Sequence, residues 1–562
     1  MPKSLYRRML IWELENVSGC KDGARFEAER SNAPLRQSAV TACSRYRYLS
    51  TLAALLVAVV WFVGAPVVSP ALKAQAVPDL DTRLRQLIGQ PKWESGLWGL
   101  HIVSLRDGKV LFSSNSHKLF LPASNMKLLI GAAALDTLGP DFRFETPVYA
   151  DGVIDAHGRL FGNLIIVGRG DPNLEGRVYD AEHEELMPRD IPNAMAQIAD
   201  QVVDRRVQSI VGDILADETL FLHEPLDPSW ALENLLWGYG APVSSLAVTE
   251  NSFQLEILPG EAIGSTAFIR PIPIETGMVY VNQIKTVREG AEAWIGIDRN
   301  YEESHLTLTG EIPLRHAGLK YNLAVRDAGV FAAQLLKLAL AQRGVAVTGK
   351  ARARRLPVFD ILESGKISLD VAKKLQSLYR DENRLAIIRT QPISESLKIM
   401  MKVSNNLYAE MMLRNLGARS TGLGSVETGV AALEEFLKKT GTPRNAVSLN
   451  DGSGLSRKNL ITPDSVVRVL QYMDQHPHRA IFLDMLPVAG RDGTLKKRMK
   501  RSPAFERIFA KTGSIEFVNT LSGYAVSRNG DRLAFSIMVN NTLVKPREVR
   551  ETIDMICDWM TR

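Results

Sequence analysis

Three short polar motifs that lie far apart in the chain place the strongest constraint on its fold. They are Ser124-Asn-Met-Lys127, Ser404-Asn-Asn406 and Lys511-Thr-Gly513. The residues around them predict a different setting for each one: the start of an apolar helix, a break between two helices and the end of a strand. Each motif alone has an ordinary explanation, as a helix cap, a polar turn or a strand-end turn. Together they predict one site, so the fold must bring three distant segments into contact.

The first motif has the residues of a serine nucleophile and its base. Ser124 and Lys127 lie one helical turn apart on the same face, and a serine hydroxyl becomes nucleophilic when a base lies within hydrogen-bond reach. A lysine amine is such a base only when burial or a nearby cation keeps it neutral. Residues 128–135 are apolar throughout, so we predict a buried helix in which an idle lysine would be costly. The backbone N–H groups of Ser124 and Ser514 are the natural oxyanion hole.

The second motif offers a proton carrier and an anchor. The Ser404 hydroxyl can pass a proton between Lys127 and a leaving amine. The Asn406 amide has both a donor and an acceptor, so it can hold the lysine and a substrate backbone together. Taken without the other motifs, a polar turn at a helix end is the more common explanation.

The third motif predicts a binding edge for an extended peptide. It ends the predicted strand Ile508–Lys511, which can pair with a peptide by strand addition, and Gly513 permits a close approach of backbones. Lys511 and Thr512 offer a cation and a hydroxyl to a terminal carboxylate. The charge of Lys511 would also help to keep Lys127 neutral.

The elements around the motifs predict a domain that is split along the chain. Residues 77–147 and 386–562 combine helices with antiparallel strands, and residues 148–385 alternate short β-rich runs with Gly, Pro and Asp turns. We therefore predict an α/β (α+β) fold in which helices pack on an antiparallel sheet and mainly-β domains are inserted. Within the insertion, residues 355–385 have a polar, helical pattern and are predicted to form an additional surface insertion.

The N-terminal segment predicts export. Residues 49–72 carry no charge, two arginines precede them, and Ala74-Gln-Ala76 matches the A-x-A pattern of a signal-peptidase site. We predict an N-terminal extension and export segment over residues 1–76, with cleavage after Ala76. The alternative is an uncleaved membrane anchor, because about 20 apolar residues can span a bilayer. In either case the remainder of the chain is predicted to lie on the extracytoplasmic side.

Charge and cysteine content exclude other classes of protein. Residues 1–76 contain ten of the 68 Lys and Arg residues and five of the 62 Asp and Glu residues, so the rest of the chain is nearly neutral and a nucleic-acid partner is not expected. Cys557 is the only cysteine after residue 76. The exported part therefore has no intramolecular disulfide and must rest on hydrophobic cores.

No G-x-S-x-G or H-E-x-x-H motif occurs, and we predict neither a metal nor a cofactor.

With these residues in hand, the chain resembles the class C low-molecular-mass penicillin-binding proteins, the D-alanyl-D-alanine carboxypeptidase/endopeptidase family. The likeness covers residues 77–562 and extends beyond the three motifs. The longer matching blocks are Leu121-Pro-Ala-Ser-Asn-Met-Lys127, Gly168-Arg-Gly-Asp-Pro172, Ser404-Asn-Asn-Leu-Tyr-Ala-Glu410, Asn450-Asp-Gly-Ser-Gly-Leu-Ser456 and Gly490-Arg-Asp-Gly-Thr-Leu495. Two features depart from the family pattern: Arg169 stands where a glycine is usual, and the 355–385 stretch is additional.

The resemblance implies a serine peptidase of the bacterial periplasm or extracytoplasmic face. It acts on peptidoglycan stem peptides through an acyl-enzyme and is inhibited covalently by β-lactams, with no metal. Ser124 is implied as nucleophile, Lys127 as general base, and Ser404 and Asn406 as proton relay and substrate anchor. The implied carboxylate and strand contacts are Lys511, Thr512 and Gly513. Two alternatives stay open: a β-lactamase, which needs rapid deacylation, and a catalytically idle scaffold that binds peptidoglycan.

Overall fold

A computed structural model of the protein describes residues 79–182, 189–300, 305–356, 362–363, 366–367 and 378–562. Its helices are α1 Leu80–Ile88, α2 Met126–Leu138, α3 Asn193–Asp204, α4 Ala328–Gln342, α5 Ile393–Lys402, α6 Asn406–Thr421, α7 Val426–Lys439, α8 Pro463–Gln475, α9 Arg479–Met485 and α10 Pro546–Met560. Its strands are β1 Leu97–Ser104, β2 Val110–Ser114, β3 Glu145–Ile154, β4 Arg159–Val167, β5 Ser209–Val211, β6 Ile214–Asp217, β7 Ser252–Leu258, β8 Phe268–Ile272, β9 Val279–Asn282, β10 Lys285–Val287, β11 Trp294–Asn300, β12 His305–Pro313, β13 Leu319–Ala324, β14 Ala346–Val347, β15 Ala351–Arg354, β16 Leu362–Glu363, β17 Lys366–Ile367, β18 Arg384–Arg389, β19 Val447–Ser448, β20 Leu460–Ile461, β21 Ile508–Ile515, β22 Val518–Val526 and β23 Arg532–Asn540.

A five-stranded sheet joins the two ends of the described chain. Its order is β2-β1-β23-β22-β21, and all neighbours are antiparallel. Strands β22 and β23 are buried along almost their whole length, because apolar cores cover both faces of the sheet. One core contains residues of α1 and α10, and the other contains residues of α2, α6 and α8. The sheet therefore carries helices on both faces and leaves β21 at one edge.

The inserted region leaves and re-enters this domain through two paired strands. Strand β3 begins the excursion and β18 ends it, and the two pair antiparallel with Ala386 opposite Val148. Both belong to a seven-stranded mixed sheet. Strands β7–β13 form two smaller, separate sheets. Helices α3 and α4 contribute to the same apolar core as these sheets. The domain boundaries at residues 147 and 385 stay predictions.

The helix break at the second motif is present, since α5 ends at Lys402 and α6 begins at Asn406. The prediction that the third motif ends its strand is wrong. Strand β21 continues to Ile515, because its residues up to that point all pair with β22 and the turn falls only after it. The 355–385 stretch lies mostly outside the described residues, as does the export segment. In the part of the chain that the structure describes, no helix is long and apolar enough to cross a membrane.

Candidate active site

Ser124 lies at the start of the most apolar helix of the domain. A short 3-10 turn, Ala123–Asn125, leads directly into α2, and residues 126–135 of that helix are all buried. The buried helix anchors the backbone of the turn, while the Ser124 side chain stays only half-buried. The local structure therefore holds a serine hydroxyl at a helix N-terminus with access from solvent.

Lys127 is completely buried and contacts the first motif, the second motif and a loop outside the three motifs. Its Nζ lies 3.0 Å from Ser124 Oγ, 2.7 Å from Asn406 Oδ1 and 2.8 Å from the carbonyl oxygen of Ser453. Burial lowers the pKa of Lys127 to about 7, although two carboxylates oppose the shift by favouring the charged amine. An amine with that pKa is neutral in about half of the molecules at pH 7. Burial, rather than a second cation, is thus the leading cause of the shift.

The loop Asn450–Ser456 supplies a backbone acceptor to the site. One oxygen of the Glu410 carboxylate accepts hydrogen bonds from the N–H groups of Gly452 and Ser453, at 3.0 and 2.8 Å. A side chain on Gly454 would place its Cβ 1.8 Å from the Ala123 carbonyl oxygen, so only glycine lets the loop touch the nucleophile turn. The motifs did not identify this loop as part of the site, since a backbone carbonyl has no side-chain signature. Its resemblance to a family block was the only signal.

Ser404 adopts a left-handed backbone conformation, with φ of 63°. This conformation is unfavourable for a residue with a Cβ and is often found at functional sites. The Ser404 hydroxyl accepts a hydrogen bond of 2.8 Å from Lys511 Nζ. Asn406, two positions further on, donates from Nδ2 to the carbonyl oxygen of Tyr239 at 2.9 Å, so the inserted region also contacts the second motif.

Lys511 is as deeply buried as Lys127. Its amine donates to Ser404 Oγ and, at 2.9 Å, to the carbonyl oxygen of Thr512. Burial lowers the pKa of Lys511 well below its usual range, and the charge of Lys127 lowers it further. A carboxylate bound beside this amine would reverse the shift, because an opposite charge favours the protonated form.

Gly513 lets β21 pass directly beside the nucleophile turn. A Cβ on this residue would lie 2.2 Å from Thr520 Oγ1, 2.8 Å from the Pro122 carbonyl oxygen and 3.0 Å from the Ser124 nitrogen. The outer edge of β21 pairs with no other strand of the five-stranded sheet, although Val488 forms a bridge with Phe509 near its start. An extended peptide can align along the residues beyond Ala510. Ser514 lies next along this strand and is exposed. Its part in an oxyanion hole with Ser124 stays a prediction.

The structure thus brings together the residues of all three motifs. A chain of hydrogen bonds runs from Ser124 through Lys127 to Asn406, and another runs from Ser404 through Lys511 to Thr512. Among the described residues, no group of three or more His, Cys, Asp or Glu side chains is placed to hold a metal ion. The arrangement is the one expected of a serine acyl-transfer site, with a buried lysine amine beside the serine hydroxyl.

Comparison with known proteins identifies the class more closely. Residues 80–562 match the D-Ala-D-Ala carboxypeptidase 3 (S13) family. A D-alanyl-D-alanine carboxypeptidase from Actinomadura sp. (strain R39) is 32% identical over 487 residues, which are 84% of this chain and 83% of the relative. The D-alanyl-D-alanine carboxypeptidase DacB of Haemophilus influenzae is 25% identical over 442 residues, with 78% and 84% coverage. The chain belongs to this carboxypeptidase family, and the resemblance to low-molecular-mass penicillin-binding proteins is confirmed.

Solved structures support the fold. The crystal structure of penicillin-binding protein 4 from Haemophilus influenzae aligns with a TM-score of 0.68 and 22% identity, covering 86% of this chain and 98% of that one. A second structure of the same protein, in complex with a β-lactam, aligns with a TM-score of 0.64 and 22% identity, with the same coverage. The predicted fold class, a penicillin-binding domain interrupted by inserted domains, is therefore confirmed.

Proposed function

We propose that this protein is a serine D-alanyl-D-alanine carboxypeptidase, with endopeptidase activity on cross-links of the same chemistry, and that Ser124 forms the acyl-enzyme. The observation that carries the proposal is the 3.0 Å contact between Ser124 Oγ and the buried amine of Lys127, in a chain of this family. β-Lactams, whose ring amide resembles the D-Ala-D-Ala amide that acylates the serine, act as covalent inhibitors at Ser124.

The hydrogen bonds of Lys127 suit a general base. A neutral amine has two N–H bonds and one lone pair. The two carbonyl oxygens of Asn406 and Ser453 accept the two N–H bonds. The lone pair is then directed at the Ser124 hydroxyl, which is the orientation needed to remove its proton.

Acylation then follows from the residues at hand. Ser124 Oγ attacks the carbonyl carbon of the penultimate D-alanine and transfers its proton to Lys127. The backbone N–H groups of Ser124 and Ser514 stabilise the oxyanion. As the C–N bond breaks, the proton from Lys127 reaches the leaving amine through the Ser404 hydroxyl. Water resolves the acyl-enzyme by the reverse path, with Lys127 again acting as base.

Lys511, Thr512 and Gly513 bind the C-terminal end of the substrate. The peptide pairs with the outer edge of β21 beyond Ala510, where Gly513 brings the strand against the nucleophile turn. Its carboxylate lies beside the Lys511 amine and the Thr512 hydroxyl, and Asn406 contacts the peptide backbone. Binding of the carboxylate raises the pKa of Lys511 and favours its charged form.

The substrate class sets the location of the enzyme. Peptidoglycan stem peptides lie outside the cytoplasm, so the enzyme acts on the extracytoplasmic face of the membrane. In a cell that has an outer membrane, this compartment is the periplasm. The uncharged segment 49–72 directs export, with cleavage after Ala76 or retention as an anchor. N-terminal sequencing of the secreted protein distinguishes the two outcomes.

The direct test is release of D-alanine from an acylated L-Lys-D-Ala-D-Ala peptide. The native protein is expected to release one D-alanine per peptide and to leave the matched L-Ala-L-Ala peptide intact. The Ser124→Ala variant is expected to release none while it keeps the native melting temperature. Equal release by Ser124→Ala and native protein would refute the proposal.

A further inference from the structure

The hydroxyl of Thr494 lies beside the third motif, although Thr494 belongs to none of the three motifs. It lies in the short turn Gly493–Leu495, in the segment between α9 and β21. The Thr512 hydroxyl donates to Thr494 Oγ1 at 2.8 Å. The Thr494 side chain is exposed, whereas the residues on both sides of it are buried. A second hydroxyl therefore faces solvent next to the one that is proposed to bind a carboxylate.

A buried ion pair holds the segment that carries Thr494. Lys402 Nζ lies 2.7 Å from both carboxylate oxygens of Asp492 and 2.7 Å from the Leu486 carbonyl oxygen. The two side chains are only 2% and 6% exposed. Lys402 is the last residue of α5, two positions before Ser404, and Asp492 stands two positions before Thr494. The pair therefore fixes Thr494 relative to the second motif.

The backbone at Gly493 is equally constrained. Its φ is 55°, and a Cβ there would lie 2.7 Å from the Lys402 carbonyl oxygen. Its N–H donates to the Tyr179 hydroxyl at 3.0 Å, and the Tyr179 ring lies 5.8 Å from Lys402 Nζ. An exposed hydroxyl on such a rigid support is preorganised for binding, because no ordering of the loop opposes it.

We propose that Thr494 is a specificity-determining contact for the terminal carboxylate of the substrate. The inference rests on the proposed function, which already places that carboxylate at Lys511 and Thr512. In the free site the Thr512 hydroxyl donates to Thr494. A carboxylate offers about four lone-pair positions, so when it binds both hydroxyls rotate and donate to it. An uncharged C-terminal amide has a single acceptor oxygen and a competing donor, and it gains less from the second hydroxyl.

The test compares two substrates and three variants. One peptide ends in D-Ala-D-Ala with a free carboxylate, and the other has the same sequence with a C-terminal amide. Thr494→Val removes the hydroxyl at nearly constant volume, and Thr494→Ser keeps it. Ser502→Ala is the matched control, because it removes a hydroxyl of the same segment that donates to the Met499 carbonyl oxygen and accepts from the Ala504 N–H.

For Thr494→Val, kcat/KM on the free carboxylate is expected to fall about 10- to 100-fold, the range for one lost hydrogen bond to a charged group. The fall is expected mainly in KM, while kcat/KM on the amide changes less than about threefold. Thr494→Ser and Ser502→Ala are expected to behave as the native protein. If Thr494→Val loses kcat/KM equally on both peptides, or loses none, the inference is overturned. The proposed function still stands in that case, as long as the native protein cleaves the peptides. A native protein that cleaves neither peptide would overturn both.

Discussion

The Asn406→Asp substitution tests whether neutral Lys127 is the base. It leaves the side-chain size unchanged and places a negative charge where the Asn406 oxygen accepts from Lys127 Nζ, 2.7 Å away. At that distance and an effective dielectric constant of 20, the attraction is about 6 kcal/mol before the cost of burying the carboxylate. Such pairs shift a pKa by roughly 1 to 3 units in practice.

The direction of the effect follows from the role of the base. Acylation requires neutral Lys127, whose fraction increases as the pH rises through its pKa of about 7. A new carboxylate favours the charged form and raises that pKa. With a shift of about 2 units, the neutral fraction at pH 7 falls from about one half to about 0.01, a loss of about 50-fold. Activity is expected to return only above about pH 9.

The assay is the second-order rate constant of acylation by a fluorescent penicillin between pH 5 and pH 10. The midpoint of the rising limb, rather than its plateau, reports on Lys127, since Asn406→Asp also loses the bond to Tyr239. Asn282→Asp is the matched control: that amide likewise donates to one backbone carbonyl, of Ala267, but in the inserted region. An Asn406→Asp profile with the native midpoint and only a lower plateau would refute the assignment of Lys127 as base.

Three further substitutions test how the fold supports the site. Ser404→Gly and Ser404→Ala both lose the hydroxyl and are expected to slow acylation about 100-fold. Glycine also relieves the left-handed backbone strain, so the free energy of unfolding from chemical denaturation is expected to be about 1 kcal/mol higher for Ser404→Gly than for Ser404→Ala. A more stable Ser404→Ala would contradict the strain. Gly513→Ala is expected to push β21 away from the nucleophile turn, since its Cβ would lie 2.8 Å from the Pro122 carbonyl oxygen and 3.0 Å from the Ser124 nitrogen. Penicillin acylation is expected to fall by at least about 10-fold; a rate within twofold of native would show that the strand can shift without loss. Lys402→Met is expected to destabilise the protein by about 3 to 5 kcal/mol, because Asp492 stays buried without its lysine and keeps the weaker partners Val488 N–H and Arg491. Adding Asp492→Asn should recover part of that loss; simple additivity of the two effects in urea unfolding would argue against the pair.

The parts of the site that the sequence predicts are those whose chemistry depends on side chains near each other in the chain. Ser124 and Lys127 are one turn apart, and the apolar residues that follow predict a buried helix, which the structure contains. The break before Asn406 is also predicted correctly, because polar residues interrupt two helical patterns. Local pattern and tertiary environment agree at these positions.

Other parts depend on contacts between distant segments. The carbonyl oxygen of Ser453 and the hydroxyl of Thr494 meet the motifs only after folding. Each lies in a longer block that resembles the family, but the block alone does not assign the residue to the site. The pairing of Lys402 with Asp492 joins the end of α5 to a loop 90 positions later, which sequence alone does not bring together. The end of β21 was misplaced for a similar reason: Lys511 and Gly513 suggest a turn, but cross-strand pairing with β22 extends the strand to Ile515.

The central claim is that Ser124 is the residue acylated in a site built from the three motifs. The most direct test is to label the purified protein with fluorescent penicillin and to map the labelled peptide by mass spectrometry. A single adduct on Ser124 that is absent from a folded Ser124→Ala variant is the predicted result. An adduct on another residue, or one that persists in Ser124→Ala, would contradict the claim.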